Sequence, residues 1–153
     1  MPQNISVVII DSDAESLSNI VKYIKNLEDS VTVEGTATTF ETGFELIHKK
    51  KPMVVIMAVG EDVSLCIERI CHILSRFPQI SIFATSTDKS AETILKVMRA
   101  GATEYLLRPV SETDLSFALQ KLGRLWLIKT SPQEQESQRF CLPPPSSENS
   151  SKS

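Results

Sequence analysis

The chain has 153 residues, of which 41% are hydrophobic and 23% are charged, and its formal net charge at pH 7 is −3. This length and composition fit one domain with a substantial core, and the scattered lysines and arginines disfavour a nucleic-acid-binding protein. The first residues lack the pattern of an export signal and no apolar run reaches the length of a membrane span, so we expect a cytoplasmic protein without direct membrane insertion.

Strands and helices alternate along the first 129 residues. The predicted strands are short apolar runs, except for residues 31–35, which alternate as a half-buried or edge strand does. Each predicted helix carries apolar residues at intervals of three or four. The strands are predicted over residues 5–10, 31–35, 52–60, 80–84 and 103–107, and the helices after residue 13, over 39–50, 61–77 and 89–100, and from residue 111. Such regular alternation predicts right-handed crossovers and a parallel sheet with helices on both faces.

The third predicted strand, residues 52–60, is the most apolar of the five and lies between a proline and a glycine. A strand buried on both faces belongs in the middle of a sheet. Open α/β sheets place their chemistry at the carboxyl ends of such strands, where this chain has Ala58. A methyl group can do no chemistry there.

The predicted core residues follow from the helical spacing. The two cysteines Cys66 and Cys71 are expected to be small core residues, Cys141 has no partner for a disulfide framework, and the lone His48 and His72 are expected at the surface. The inward stripes are predicted to be Val63, Ile67, Ile70 and Leu74 in the third helix, Ala91, Ile94, Leu95 and Met98 in the fourth, and Leu115, Leu119, Leu122 and Trp126 in the last.

The composition changes after residue 129 to serine, proline, glutamine and glutamate. Too few apolar residues remain there to offset the entropy of ordering. The sequence therefore predicts a domain over residues 1–129 and a disordered tail or linker over residues 130–153.

Polar residues follow the predicted strands at their carboxyl ends. Asp11, Ser12 and Asp13 come after the first strand, Thr85 after the fourth, and Arg108-Pro109 after the fifth. Because parallel strands end at one edge of the sheet, these residues and Ala58 are expected to lie together.

Over residues 5–122 the sequence resembles the receiver domain of bacterial response regulators. The most specific part is the segment 101–109, GATEYLLRP, which in that family runs Gly-Ala, an acidic turn, an aromatic residue and Lys-Pro. The resemblance implies a flavodoxin-like (CheY-like), doubly wound sheet of five parallel strands in the order 2-1-3-4-5.

The resemblance also implies what each site position would do. The family accepts a phosphoryl group on an Asp at the position that holds Ala58 here, so the nucleophile is missing. Of the two adjacent acids that bind Mg²⁺, Asp11 matches, Ser12 replaces the second, and Asp13 lies one position too late. We therefore expect no metal, no cofactor and no catalytic residue.

The residues that read out phosphorylation in the family are retained. Thr85 matches the sensing hydroxyl, Tyr105 the switch aromatic, and Arg108-Pro109 the Lys-Pro pair with a longer, forked cation. Asp11 and Arg108 either form an ion pair that holds the site in one state or are solvated charges. The resemblance implies a pseudo-receiver, not an enzyme, that acts through a protein partner.

A narrower resemblance points to one branch of the family. The segments around 84–86 and 98–110 look like the atypical receiver at the front of TadZ/CpaE-type pilus assembly proteins, in which Arg often takes the Lys position. That resemblance implies a ParA-like ATPase, as a further domain or a partner, and a role in localising a pilus or secretion assembly.

Two other functions are weighed. Asp-x-Asp after a buried strand also opens the haloacid-dehalogenase phosphatases, with Asp11 as nucleophile, Asp13 as acid/base, Thr85 as the phosphate-binding hydroxyl and Arg108 as the lysine substitute. A helix directly after Asp13 would leave no room for the flap of that family. A transcription factor is disfavoured because residues 130–153 have no helix-turn-helix pattern.

One face of the last helix combines apolar and cationic residues, namely Phe117, Lys121, Arg124 and Ile128. Phenylalanine and arginine are typical of interfaces, although single exposed apolar residues are also common. We expect this face, with the fourth helix and fifth strand, to form a homodimer in which the nearby acids Glu104, Glu112 and Asp114 pair with its cations across the two-fold axis.

Overall fold

The structure is a computed structural model that describes residues 4–27 and 30–129, with side chains up to residue 123. Within these ranges, five strands alternate with five helices. The strands are β1 (Ile5–Ile10), β2 (Val31–Ala37), β3 (Val54–Ala58), β4 (Ser81–Ser86) and β5 (Glu104–Leu107). The helices are α1 (Ala14–Lys25), α2 (Phe40–Lys50), α3 (Val63–Arg76), α4 (Ala91–Ala100) and α5 (Glu112–Lys129). The predicted tail and Cys141 lie outside the described residues.

The sheet confirms the predicted fold class. All its strands are parallel, in the order β2-β1-β3-β4-β5. The β3 strand pairs with β1 on one side and β4 on the other, and Val54 to Met57 are almost completely buried. This is the central position that the apolar run predicts.

Both faces of the sheet are covered. Alternate strand residues pack with α2, α3 and α4 in one apolar cluster, which includes Val8, Val55, Ile82, Ile47, Ile70 and Val97. The intervening residues Val7, Ile9, Ile56 and Phe83 are also buried, as are Ile20 and Ile24 of α1. Because side chains alternate across a strand, the two sets belong to opposite faces.

A side-chain oxygen atom caps the N-terminus of each of the first four helices. Asp13 accepts a hydrogen bond from the Glu15 amide, and Thr39, Asp62 and Ser90 cap α2, α3 and α4 in the same way. Each cap satisfies an amide that has no partner inside its helix. Because each of these helices follows a strand of the parallel sheet, all four helix starts lie at its carboxyl edge.

The inward face of α4 differs from the prediction. Thr93 and Val97 are buried, whereas Leu95 is 49% and Met98 36% exposed. Thr93 can face inward because its hydroxyl donates to Asp88 over 2.7 Å, which satisfies the polar group. The predicted stripe of Leu95 and Met98 is wrong.

The inward face of α3 is confirmed only in part. Ile70 is buried as predicted, but the other fully buried residues are Cys66 and Ile73. Cys66 is a core residue, whereas the same prediction for Cys71 is wrong because its side chain is exposed. In α5, Leu115, Leu119 and Leu122 are buried as predicted, and the side chain of Trp126 lies outside the described part.

The chain separates into two compact units, Met1–Ala118 and Leu119–Ser153. The sheet, α1 to α4 and the candidate site belong to the first unit. Within the described ranges, no helix combines the length and the apolar character needed to cross a bilayer.

Candidate functional site

The carboxyl edge of the sheet brings the predicted site residues together. Ala58 is in register with Thr85 of β4, and Asp11 and Arg108 directly follow β1 and β5. Backbone hydrogen bonds continue past the strand ends, since the Asp11 amide donates to Ala37 and the Arg108 amide to Ser86, each over 2.9 Å. These bonds fix where the side chains leave the sheet.

Arg108 is the centre of this site. Its Nη1 atom donates to Asp11 Oδ2 over 2.9 Å and to Thr85 Oγ1 over 3.0 Å. Its Nη2 atom lies 3.4 Å from Asp11 Oδ1 and 3.5 Å from Asp13 Oδ2. A planar guanidinium can hold both carboxylate oxygens at once, which a lysine ammonium cannot. Of the two alternatives for Asp11 and Arg108, the structure has the ion pair.

The Asp11 carboxylate is buried but has its polar contacts satisfied. Its side chain is 2% exposed, that of Arg108 is 15%, and that of Asp13 is 57%. Asp11 Oδ1 also accepts a hydrogen bond from the Asp13 amide over 2.9 Å. A buried charge is tolerated when it is paired and hydrogen-bonded, and here residues of the chain itself meet both conditions.

A cleft with a mixed polar and apolar lining opens beside this ion pair. It encloses about 300 Å³, and its lining includes Asp13, Asn19, Thr87, Arg108 and the ring of Pro109. The Arg108-Pro109 peptide bond is cis. In the described part of the chain, no three histidine, cysteine or acidic side chains are grouped as a metal ion would need.

The loop from β4 to α4 contains a residue that the sequence analysis missed. Asp88 accepts hydrogen bonds from the Thr93 hydroxyl over 2.7 Å and the Ser90 amide over 2.8 Å. The Tyr105 hydroxyl donates to the Asp88 carbonyl over 2.7 Å, and the Asp88 amide donates to the Ser86 hydroxyl over 3.0 Å. The hydrogen bond from Thr93, followed by those from Ser90, lowers the pKa of Asp88.

The missed residue had a recognisable signal. Asp88 lies two positions before the cap Ser90, the spacing at which an aspartate side chain accepts from the backbone in an Asx turn. The bond from Tyr105 spans 17 positions and has no local signature.

The predicted face of α5 is described only in part. Phe117 is 60% exposed and Lys121 is exposed, while the side chains of Arg124 and Ile128 lie outside the described residues. Glu112 accepts a hydrogen bond from the Asn26 amide group over 2.8 Å. The interface therefore stays a prediction.

The phosphatase interpretation is not supported. The α1 helix begins at Ala14, directly after Asp13, so the loop that the alternative needs is absent here. Its proposed nucleophile, Asp11, is buried and held by Arg108.

Comparisons with known proteins agree on one family of relatives, although no family model matches the chain. The positive alginate biosynthesis regulatory protein of Pseudomonas aeruginosa is 28% identical over 122 residues, which cover 78% of this chain and 47% of that protein. The probable C4-dicarboxylate response regulator DctR of Bacillus subtilis is 27% identical over 114 residues, covering 74% of this chain and 50% of that protein. The chain thus spans about half the length of these curated relatives.

Solved structures show the same fold. The receiver domain of RcsB from Salmonella enterica superposes with a TM-score of 0.72 at 23% identity, covering 80% of this chain and 90% of that domain. A pilus assembly-related protein of Burkholderia pseudomallei superposes with a TM-score of 0.69 at 18% identity, covering 78% of this chain and 90% of that one. With the sheet order, these matches show that the described domain has the fold of CheY-like receiver domains, and the curated relatives at 27–28% identity point to the response regulators.

Proposed function

We propose that this receiver domain does not accept a phosphoryl group and acts as a protein-interaction module. The observation that carries the proposal is that Arg108 forms hydrogen bonds with both Asp11 and Thr85. Ala58 lies at the end of the neighbouring strand β3, in register with Thr85. Transfer to a protein needs a nucleophile, and the methyl group of Ala58 is not one. A divalent ion needs several hard oxygen ligands, and Asp11 is the one buried carboxylate among the described residues at this edge.

Two contacts support a domain that stays in one state. The Thr85 hydroxyl accepts a hydrogen bond from Arg108, and the Tyr105 hydroxyl donates to the Asp88 carbonyl. Both side chains therefore have partners within the chain. Because Thr85 and Tyr105 already have hydrogen-bond partners, moving them to a switched conformation would gain little free energy. The observed conformation is therefore favoured over the switched one.

The output of such a domain would be a surface. The β5 strand is at the edge of the sheet, and the elements around it carry four exposed apolar side chains, Leu95, Met98, Leu107 and Phe117. A monomer seldom exposes a large contiguous apolar patch without a function. We propose that this surface of α4, β5 and the first turns of α5 binds a second copy of the domain.

We propose two cellular settings for this module. The resemblance to TadZ/CpaE-type proteins and the fold of the pilus assembly-related neighbour favour localisation of a pilus or secretion assembly, with a ParA-like ATPase as domain or partner. The curated relatives favour signal transduction. Both settings use the same interaction surface.

Phosphorylation is tested by adding acetyl phosphate, or beryllofluoride, with Mg²⁺ while recording amide NMR spectra. We expect no change in the amide chemical shifts of Thr85 and Tyr105, because the site lacks a nucleophile and a second acidic residue to bind Mg²⁺. We expect Ala58→Asp alone to remain unreactive, and the double variant Ser12→Asp with Ala58→Asp to be the matched attempt at restoration. Specific shifts in the wild-type protein would refute the proposal.

Dimerisation is tested by sedimentation equilibrium at high micromolar concentration. We expect Phe117→Glu to shift the protein towards monomer, because it places a charge in the proposed interface. Leu65→Glu on α3 is the matched control, since Leu65 is also apolar and 39% exposed but lies away from β5. A wild-type monomer, or equal effects of both substitutions, would remove this surface from consideration.

A further inference from the structure

The parallel topology aligns the helices of this domain. Each helix runs from the carboxyl end of one strand to the amino end of the next, so α2, α3 and α4 all begin at one edge of the sheet and end at the other. These three helices share one face, since Ile47, Ile70 and Val97 belong to the same apolar cluster. The N-terminal ends of the three helices therefore share the carboxyl edge of the sheet, and their C-terminal ends share the amino edge.

The charges at the two edges have opposite sign. Acidic residues lie in the first turns and entry loops of the three helices, and basic residues lie in their last turns or directly after them. We call the first set the acidic edge and the second the basic edge. The acidic edge consists of Glu41, Glu61, Asp62, Asp88 and Glu92, and the basic edge consists of Lys49, Lys50, Lys51, Arg76 and Arg99.

The basic edge is available for contact. All five of its side chains are exposed, and none takes part in an ion pair within the described ranges. At the acidic edge, Glu92 pairs with Lys96 over 3.1 Å and Lys89 adds a positive charge, so part of its charge is balanced. The other acids keep a negative excess there.

The two edges are too far apart to neutralise each other. The α3 helix has 14 residues and is therefore about 21 Å long. The Debye length at physiological salt is about 8 Å, so charges at opposite ends of α3 are screened from each other. Their attraction becomes effective only when another molecule brings opposite edges into contact.

Helix dipoles account for some of these charges but not for Lys51. A cation in the last turn of a helix contributes about 0.3–1 kcal/mol at an exposed site. Lys51 lies after α2 with a φ of 47°, a left-handed conformation that favours glycine or asparagine. Its Nζ atom donates to the His48 carbonyl over 3.3 Å, and its charge adds to those of Lys49 and Lys50.

We propose that the basic edge of one molecule binds the acidic edge of a second copy, so that domains stack head to tail along the strand direction. The chain itself supplies both complementary surfaces, so a second copy offers an acidic edge to the basic edge and a basic edge to the acidic edge. A head-to-tail interface uses two different patches, so it leads to rings or open stacks. It is distinct from the two-fold contact around β5.

The test is a charge exchange between the two edges. Variant A carries Lys49→Glu, Lys50→Glu and Arg76→Glu, so both of its edges are acidic. Variant B carries Glu41→Lys and Glu61→Lys, so its acidic edge loses its negative excess while the cap residues stay in place. We expect neither variant to stack alone and an equimolar mixture of A and B to associate. Phe117→Glu in every protein removes the proposed two-fold contact from the measurement.

Salt provides a second measurement that needs no edge variant. In the Phe117→Glu background, sedimentation should detect association at about 20 mM salt that is lost at about 500 mM, because the Debye length falls below the spacing of the charges. Association that is insensitive to salt, or an A and B mixture that stays monomeric although circular dichroism shows both variants folded, would overturn the proposal. Binding to anionic vesicles or to nucleic acid without self-association would overturn it as well, in favour of an anionic partner.

Discussion

Replacing Arg108 by methionine tests how the candidate site is held together. The substitution keeps an unbranched side chain but removes the guanidinium that contacts both oxygens of Asp11 and the hydroxyl of Thr85. The carboxylate of Asp11, with 2% of its side chain exposed, would keep a hydrogen bond from the Asp13 amide but lose its counter-ion.

The size of the effect follows from this burial. Removing one partner of a buried ion pair destabilises a protein by about 3–5 kcal/mol, because the other charge is left uncompensated. Arg108 is 15% exposed and one hydrogen bond to Asp11 remains, so we expect the lower end, about 3 kcal/mol. Urea unfolding followed by circular dichroism should show a midpoint lower by about 1.5 M, for a slope of about 2 kcal/mol per M.

Two further variants identify the cause. Arg108→Lys keeps the positive charge but not the planar guanidinium, and it should lower the free energy of unfolding by about 1 kcal/mol. Adding Asp11→Asn to the methionine variant removes the uncompensated charge. It should restore about 1–2 kcal/mol of the lost free energy of unfolding. The reasoning is refuted if the methionine variant loses less than about 1 kcal/mol, or if Asp11→Asn lowers its stability further.

Two more predictions use pKa shifts. The folded state lowers the pKa of Asp88, so the stability that this carboxylate contributes is present above its unfolded pKa and lost as pH falls through the folded one. Asp88→Asn should accordingly unfold more easily than wild type at neutral pH and equally easily in acid, and a stability difference that does not depend on pH would contradict this. Burial raises the pKa of the Cys66 thiol to about 11 against a smaller opposing effect of Arg69, so in a Cys141→Ser background a thiol reagent at about pH 8 should label the exposed Cys71 fast and Cys66 only on unfolding. Equal rates for both cysteines in the folded protein would refute that reasoning.

The sequence was most informative where one local pattern determines the outcome. Apolar runs located the buried strands β1, β3 and β4, because a strand that packs on both faces is mostly apolar, and alternation of apolar and polar residues located β2. The caps Asp13 and Ser111 could be found because a helix start needs a nearby acceptor for its amides. The strand order came from the family resemblance, since alternation alone allows several orders.

The failures came where two patterns compete or where partners are distant in sequence. In α4, the stripe of Leu95 and Met98 looked more apolar than that of Thr93 and Val97, but a hydroxyl with an internal acceptor can be buried. The ion pair joins residues 97 positions apart, so its geometry depends on the whole sheet. Sequence alone therefore left it as one of two alternatives.

The charge balance of the site explains why the proposed loss of phosphorylation and the ion pair belong together. Two carboxylates in a buried site repel each other, so an acid at position 58 beside Asp11 would need more positive charge than one side chain supplies. With Ala58 in that position, the guanidinium of Arg108 balances Asp11 one to one. We infer that Ala58 and Arg108 are matched, and that Ala58→Asp would lower the stability of the domain in the absence of a divalent ion. A midpoint for urea unfolding that is unchanged or raised in this variant at neutral pH would contradict the inference. It would mean that the added carboxylate is solvated or paired with a cation, neither of which the described geometry provides.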